Sequence, residues 1–133
     1  MKYIFIVIAL FFAQQGFACT CATPTIEESF KSADYVYIGL IQSAKLNGDT
    51  EVINYLSIVK EYKGVRDTDI LISDNSESSC ASPAAVGYKY LIFGNVGKTP
   101  IIQSCSQTQA IFGGKKPLLD KLDKLAGLHQ HGS

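Results

Sequence analysis

The stretch Tyr35-Val36-Tyr37-Ile38-Gly39-Leu40-Ile41-Gln42-Ser43-Ala44 reads as a β-strand. At a period of two, Val36, Ile38 and Leu40 face one side, and Tyr35, Tyr37 and Ile41 face the other. Gly39 interrupts the second set, which signals a bend or a bulge. Downstream, Asn47-Gly48-Asp49 is a hairpin signal, and Glu51 to Tyr62 makes a long second strand that leaves through Lys63-Gly64. Thr68 to Ser73, with Ile70, Leu71 and Ile72, is a third strand. Asp74 to Pro83 is polar, rich in serine and carries Cys80, so it reads as a loop. Tyr88 to Phe93 and Thr99 to Cys105 read as the fourth and fifth strands, turned at Asn95-Val96-Gly97.

Upstream, Thr25-Ile26-Glu27-Glu28 has the form of a capping box, with Thr25 as cap and Glu28 reaching back. A short helix is expected from there to about Ala33, with Ile26 and Phe30 on one face. After Gly113-Gly114, Pro117 at a first helical position and Leu118, Leu122 and Leu125 predict a second amphipathic helix. Gly127 is its expected stop, and the tail His129 to Ser133 is expected to fray. Five short strands with a helix near each end predict a mainly β fold. The expected architecture is a five-stranded, OB-like closed barrel, because closure removes exposed edges. A two-sheet sandwich is the alternative.

Residues 1–18 have the form of a secretory signal: Lys2, an apolar run from Tyr3 to Ala13, then a polar exit ending Gly16-Phe17-Ala18. The apolar run is too short to span a membrane, which needs about 20 residues. Removing these 18 of 133 residues leaves 115, the size of one domain, 19–133. Without Lys2 there are 11 basic against 12 acidic residues. No basic field remains to draw nucleic acid. The expected location is secreted or extracellular, or periplasmic in a bacterium.

Cys19, Cys21, Cys80 and Cys105 all follow the signal, and an even count in that setting reads as a disulfide framework. A Cys19–Cys21 bridge would close a tiny strained ring. The pairings 19–80 with 21–105 and 19–105 with 21–80 both remain. A zinc site made from these cysteines fits less well, because one C-x-C with two isolated partners is not metal-ligand spacing.

Catalysis finds few candidates. The only histidines, His129 and His131, lie in the tail, where no base is held against a nucleophile. Glu27 and Glu28 are adjacent on a helix and do not face each other. The chain is therefore expected not to be an enzyme and to need no cofactor. The N-terminus is different. A cut after Ala18 leaves Cys19 with a free α-amine and its own carbonyl, two atoms able to close a chelate ring on a metal. An α-amine of ordinary pKa, about 7.7–8.0, is partly neutral near neutral pH. Disulfides hold it in place, which lowers the ordering cost of binding. A catalytic zinc with an open position suits such a chelate.

At these residues the chain resembles the tissue inhibitors of metalloproteinases and the netrin-like module they share. Cys19-Thr20-Cys21 followed by Pro24 is similar to their N-terminal pattern. Phe30 to Val36, then Tyr55 to Gly64 with its Glu61-Tyr62-Lys63-Gly64 exit, continue the likeness. So do Glu77-Ser78-Ser79-Cys80, Gly87 to Ile92, and Cys105. The resemblance runs over about Cys19 to Gln109. Lys31 stands where the family has a cysteine, and a Leu-rich helix follows where the family has a disulfide-rich subdomain.

The resemblance implies an OB-like barrel and the pairing Cys19–Cys80 with Cys21–Cys105. It implies a monomeric inhibitor whose partner is a zinc metalloendopeptidase. Cys19 would chelate the protease's zinc in trans, and Thr20 would enter the specificity pocket. Cys21, Ala22 and Thr23 would lie in the substrate cleft, and Ser78 and Ser79 would extend the contact ridge. Two alternatives stand beside this reading. One is a non-inhibitory netrin-like binding module. The other is a lipoprotein acylated at Cys19, which the Gly16-Phe17-Ala18 approach fits poorly.

Overall fold

The computed structural model describes residues 21–76, 80 and 82–131, with side chains up to 127. The expectations for the signal segment, Cys19, Thr20, Ser78 and Ser79 lie outside the described residues. The elements in chain order are α1 (Ile26–Ser32), β1 (Tyr35–Asn47), β2 (Glu51–Lys63), β3 (Ile70–Asp74), β4 (Lys89–Gly94), β5 (Gln109–Ile111) and α2 (Lys116–His131). The strands form one antiparallel sheet in the order β3-β2-β1-β4-β5.

The capping box forms as its sequence dictates. Thr25 Oγ1 accepts from the Glu28 amide at 3.1 Å, and Glu28 Oε2 accepts from the Thr25 amide at 3.2 Å. Two of the first-turn amides are thereby satisfied. The β1–β2 hairpin turns through Gly48, whose φ of 80° is the left-handed conformation glycine adopts without strain. The register of this hairpin shifts at three places, one of them between Ile38 and Gly39. The bulge at Gly39 sits in a tight spot: a Cβ there would lie 3.1 Å from the Tyr37 ring and 3.2 Å from Leu56. Gly64 ends β2 at a φ of 64° with its Cα hydrogens against the Asp34 carbonyl, where a side chain has no room.

β1 carries the core on both of its faces. Tyr35, Tyr37 and Ile41 pack with Leu56, Leu71, Tyr90, Ile92 and Ile102 on one side, here called the inner. Val36 and Ile38 pack with Phe30, Tyr62, Leu91 and Leu122 on the outer side. The outer layer is closed by the two helices, with Ile26 from α1 and Leu118, Leu119 and Leu125 from α2. Burial of this apolar surface, at about 25 cal/mol per Å², is what holds the helices in place, and the seven-residue α1 is too short to be stable alone. Two exposed ion pairs, Lys60–Asp123 and Lys121–Glu27, add orientation to α2 rather than much energy.

Three expectations need correction. The sheet is not a closed barrel: β3 and β5 are its edges and do not pair with each other. The run Thr99 to Cys105 is not a strand. It touches β3 through one parallel bridge, in which the Ile72 amide donates to the Pro100 carbonyl and the Ile102 amide to the Ile72 carbonyl, both at 2.9 Å. Pro100 has no N–H with which to extend a ladder, and the chain turns away at Ser104 and Cys105 toward β4. The fifth strand is Gln109–Ile111, which pairs with Lys89, Tyr90 and Leu91. Finally, α2 does not stop at Gly127. It continues through His129 to His131, so these histidines stand on a helix rather than in a frayed tail.

Candidate functional site

The first described residues form an exposed segment without regular secondary structure. Cys21, Ala22 and Thr23 are exposed and Pro24 is half-buried. Pro24 biases Thr23 toward extended backbone, and the Thr25 cap fixes where the segment becomes helix. Two attachments hold it. Cys21 is disulfide-bonded to Cys105, with the two Cα atoms 5.8 Å apart. The Gln107 side chain donates from Nε2 to the Pro24 carbonyl at 2.8 Å.

The same turn reaches the serine-rich loop. The Ser104 amide donates to the Cys80 carbonyl at 3.0 Å, and the Ser82 amide to the Ile102 carbonyl at 2.8 Å. Cys80 and Cys105 are thus neighbours through Ser104. Of the sequence-predicted site residues, Cys21, Ala22, Thr23, Cys80 and Cys105 come together at one end of the sheet. Cys80 is itself disulfide-bonded, and its partner lies outside the described residues. The observed Cys21–Cys105 bond is the one that the family resemblance implied, and it settles a choice that spacing alone left open.

Sequence reasoning missed Ser104 and Gln107, the two residues that dock this end of the molecule. Their position on either side of Cys105 was the available signal. Among the described residues no group of three or more His, Cys, Asp or Glu side chains is placed to hold a metal. No helix among them is long and apolar enough to cross a membrane.

The strongest perturbations of ionisable groups lie in the inner core. Burial holds the Tyr37 hydroxyl far above the ordinary tyrosine range, with Tyr35 beside it adding to the effect and Arg66 opposing it. Tyr35 is raised as well, by burial first and then by Asp67 and Asp34. The two rings lie 6.0 Å apart, and neither hydroxyl has a hydrogen-bond partner among the described residues. These groups pack rather than react.

Both phenols keep their protons in the folded state at pH values where the unfolded chain, near pKa 10.0, releases them. Their contribution to stability is complete below pH 10 and is lost as the pH rises from there toward their folded values. Thermal unfolding should show a melting temperature that falls more steeply above pH 10 in the native chain than in a Tyr35→Phe/Tyr37→Phe variant. Parallel slopes would contradict the burial argument. At pH 7 the variant should be at least as stable as the native chain, because an unpartnered buried hydroxyl carries a desolvation cost that phenylalanine lacks.

Compared with models of known protein families and with characterised protein sequences, the chain matches none.

Proposed function

We propose that this chain is a secreted protein inhibitor of zinc metalloendopeptidases, a netrin-like module of the kind found in tissue inhibitors of metalloproteinases. The observation that carries the reading is the exposed Cys21-Ala22-Thr23 segment, tied by Cys21–Cys105 beside the Cys80 loop. An exposed segment held in place is a form in which a chain enters a protease cleft at low entropic cost. In this proposal the signal is cut after Ala18, Cys19 is bonded to Cys80, and the Cys19 amine and carbonyl chelate the protease's zinc. Thr20 fills the adjoining specificity pocket, while Ala22, Thr23, Ser78 and Ser79 extend the contact.

The test compares two proteins: one beginning at Cys19, and one with a single alanine ahead of it. The extension leaves every side chain in place and converts the free amine to an amide, which is no ligand at this pH. The Cys19 form should inhibit a panel of zinc endopeptidases. The extended form should bind about 100-fold more weakly, equivalent to roughly 3 kcal/mol. Equal inhibition by the two would remove chelation from the proposal. No inhibition by either would leave a netrin-like binding module with structural bridges only.

A further inference from the structure

A cleft of about 380 Å³ lies between the outer face of the sheet and α2. That volume is within the range of small-ligand sites. Its apolar floor comes from Ile38, Val59, Ile111 and Leu119. Along α2 the lining residues are Lys116, Leu119, Asp120 and Asp123, a single helical stripe at i, i+3, i+4 and i+7. Seven residues of helix at 1.5 Å each make the cleft about 10 Å long.

The two ends differ in charge. At one end Asp123 is neutralised by Lys60, whose Nζ lies 2.6 Å from it and 4.9 Å from the centroid of the Tyr62 ring. Lys116, in the first turn of α2, lines the other end of the helical stripe, and Lys89, at the start of β4 and in register with Ile111, lines the sheet side of the cleft. Neither Lys89 nor Lys116 makes an ion pair or hydrogen bond with the described residues; the ion pairs present use Lys60, Arg66 and Lys121. The first turn of α2 contains no acidic residue. Lysine there opposes the helix dipole, and its positive end is left without a counter-charge. A cleft with an apolar floor, one neutral end, and Lys89 and Lys116 outnumbering Asp120 in the rest of its lining is complementary to an amphiphile with an anionic head.

We propose that this cleft binds a medium-chain carboxylate, a fatty-acid-like molecule of roughly eight carbons, with its carboxylate at Lys89 and Lys116. The chain lies over Ile111, Leu119 and Val59 toward the Lys60–Asp123 pair. Asp120, exposed on the same stripe one turn from Lys116, is the group that opposes the head and limits affinity. The site is independent of the inhibitory reading: it uses none of the residues of the Cys21 end.

The test is isothermal titration of the disulfide-bonded chain with octanoate, with octylamine and octanol as cationic and neutral controls. Octanoate should bind with one-to-one stoichiometry and at least about tenfold more tightly than either control, a factor that corresponds to one charge-assisted contact. A Lys89→Gln/Lys116→Gln variant should lose that preference, and Asp120→Asn should strengthen octanoate binding. Val59→Trp, at a position 46% exposed and therefore tolerant of a larger ring, should block binding while circular dichroism and the melting temperature stay unchanged. The proposal is overturned if octanoate gives no heat at either of two well-separated temperatures, since apolar burial changes the heat capacity and cannot be silent at both. It is equally overturned if octanol matches octanoate, or if the lysine variant binds as the native chain does.

Discussion

A chain carrying both Cys21→Ser and Cys105→Ser should unfold with about 4 kcal/mol less free energy than the native chain. The two cysteines are 84 residues apart. Closing a loop of that length in the unfolded state removes chain entropy worth about 4 to 5 kcal/mol in the entropic model, and natural bridges in small domains fall near this range. The substitutions isolate that term. Cys21 is exposed and Cys105 only half-buried, so exchanging sulfur for oxygen sacrifices little packing. Total stabilities of single domains run from about 5 to 15 kcal/mol, so the loss is a large share of whatever this one has. Urea unfolding at equilibrium checks it through the midpoint. A loss under about 1 kcal/mol would mean that the unfolded chain is already constrained, or that the Gln107–Pro24 hydrogen bond and the Thr25 cap hold the segment without the sulfurs.

Gly94→Ala should cost about 3 kcal/mol, at the upper end of what overpacking does. Gly94 ends β4 opposite Tyr35, and its carbonyl accepts from the Asp34 amide at 2.9 Å. A Cβ placed there falls inside the Tyr35 ring. Tyr35 is 1% exposed and backed by the rest of the inner core, so the ring has nowhere to retreat. Gly113→Ala is the control, because a Cβ there meets nothing within 4 Å. That change should stay within about 0.5 kcal/mol. If the two glycines respond alike, the tight approach of Tyr35 to β4 is not what fixes this corner of the sheet.

Much of this fold is legible in the sequence because its longest elements carry strong local signals. Tyr35, Tyr37 and Ile41 sort onto one face and Val36 and Ile38 onto the other, as the period of two predicts, and Gly39 falls at a register shift. Thr25 and Glu28 form the cap they spell. Closure was not legible. Ile101 and Ile102 look like a strand, yet the apolar content serves a single bridge and one buried side chain, and Pro100 withholds the next donor. The true last strand, Gln109-Ala110-Ile111, is three residues long and has no pattern to read. Gly127 misled in the other direction. Leu128 follows it, three residues after Leu125, and glycine is only a weak breaker, about 1 kcal/mol worse than alanine.

The candidate site was partly legible. The Cys-x-Cys spacing predicted a bridged N-terminal segment, but spacing could not choose the partner. Cys80 and Cys105 become neighbours only through long-range contacts around Ser104. The α2 cleft left no trace in the sequence, because Lys89 and Lys116 are brought to it by sheet register and by helix docking. In one dimension they are two lysines among many.

The burial of β1 on both faces has a consequence for how the molecule comes apart. A strand that walls only one apolar layer can let that layer melt while the other survives. Here Tyr35 and Tyr37 belong to one layer, and Val36 and Ile38, between and beside them on the same backbone, belong to the other. Neither layer can open without withdrawing the strand that supports its neighbour. The inner core, the outer core and the helices seated on it are therefore a single cooperative unit, and partial openings are confined to segments that β1 does not touch.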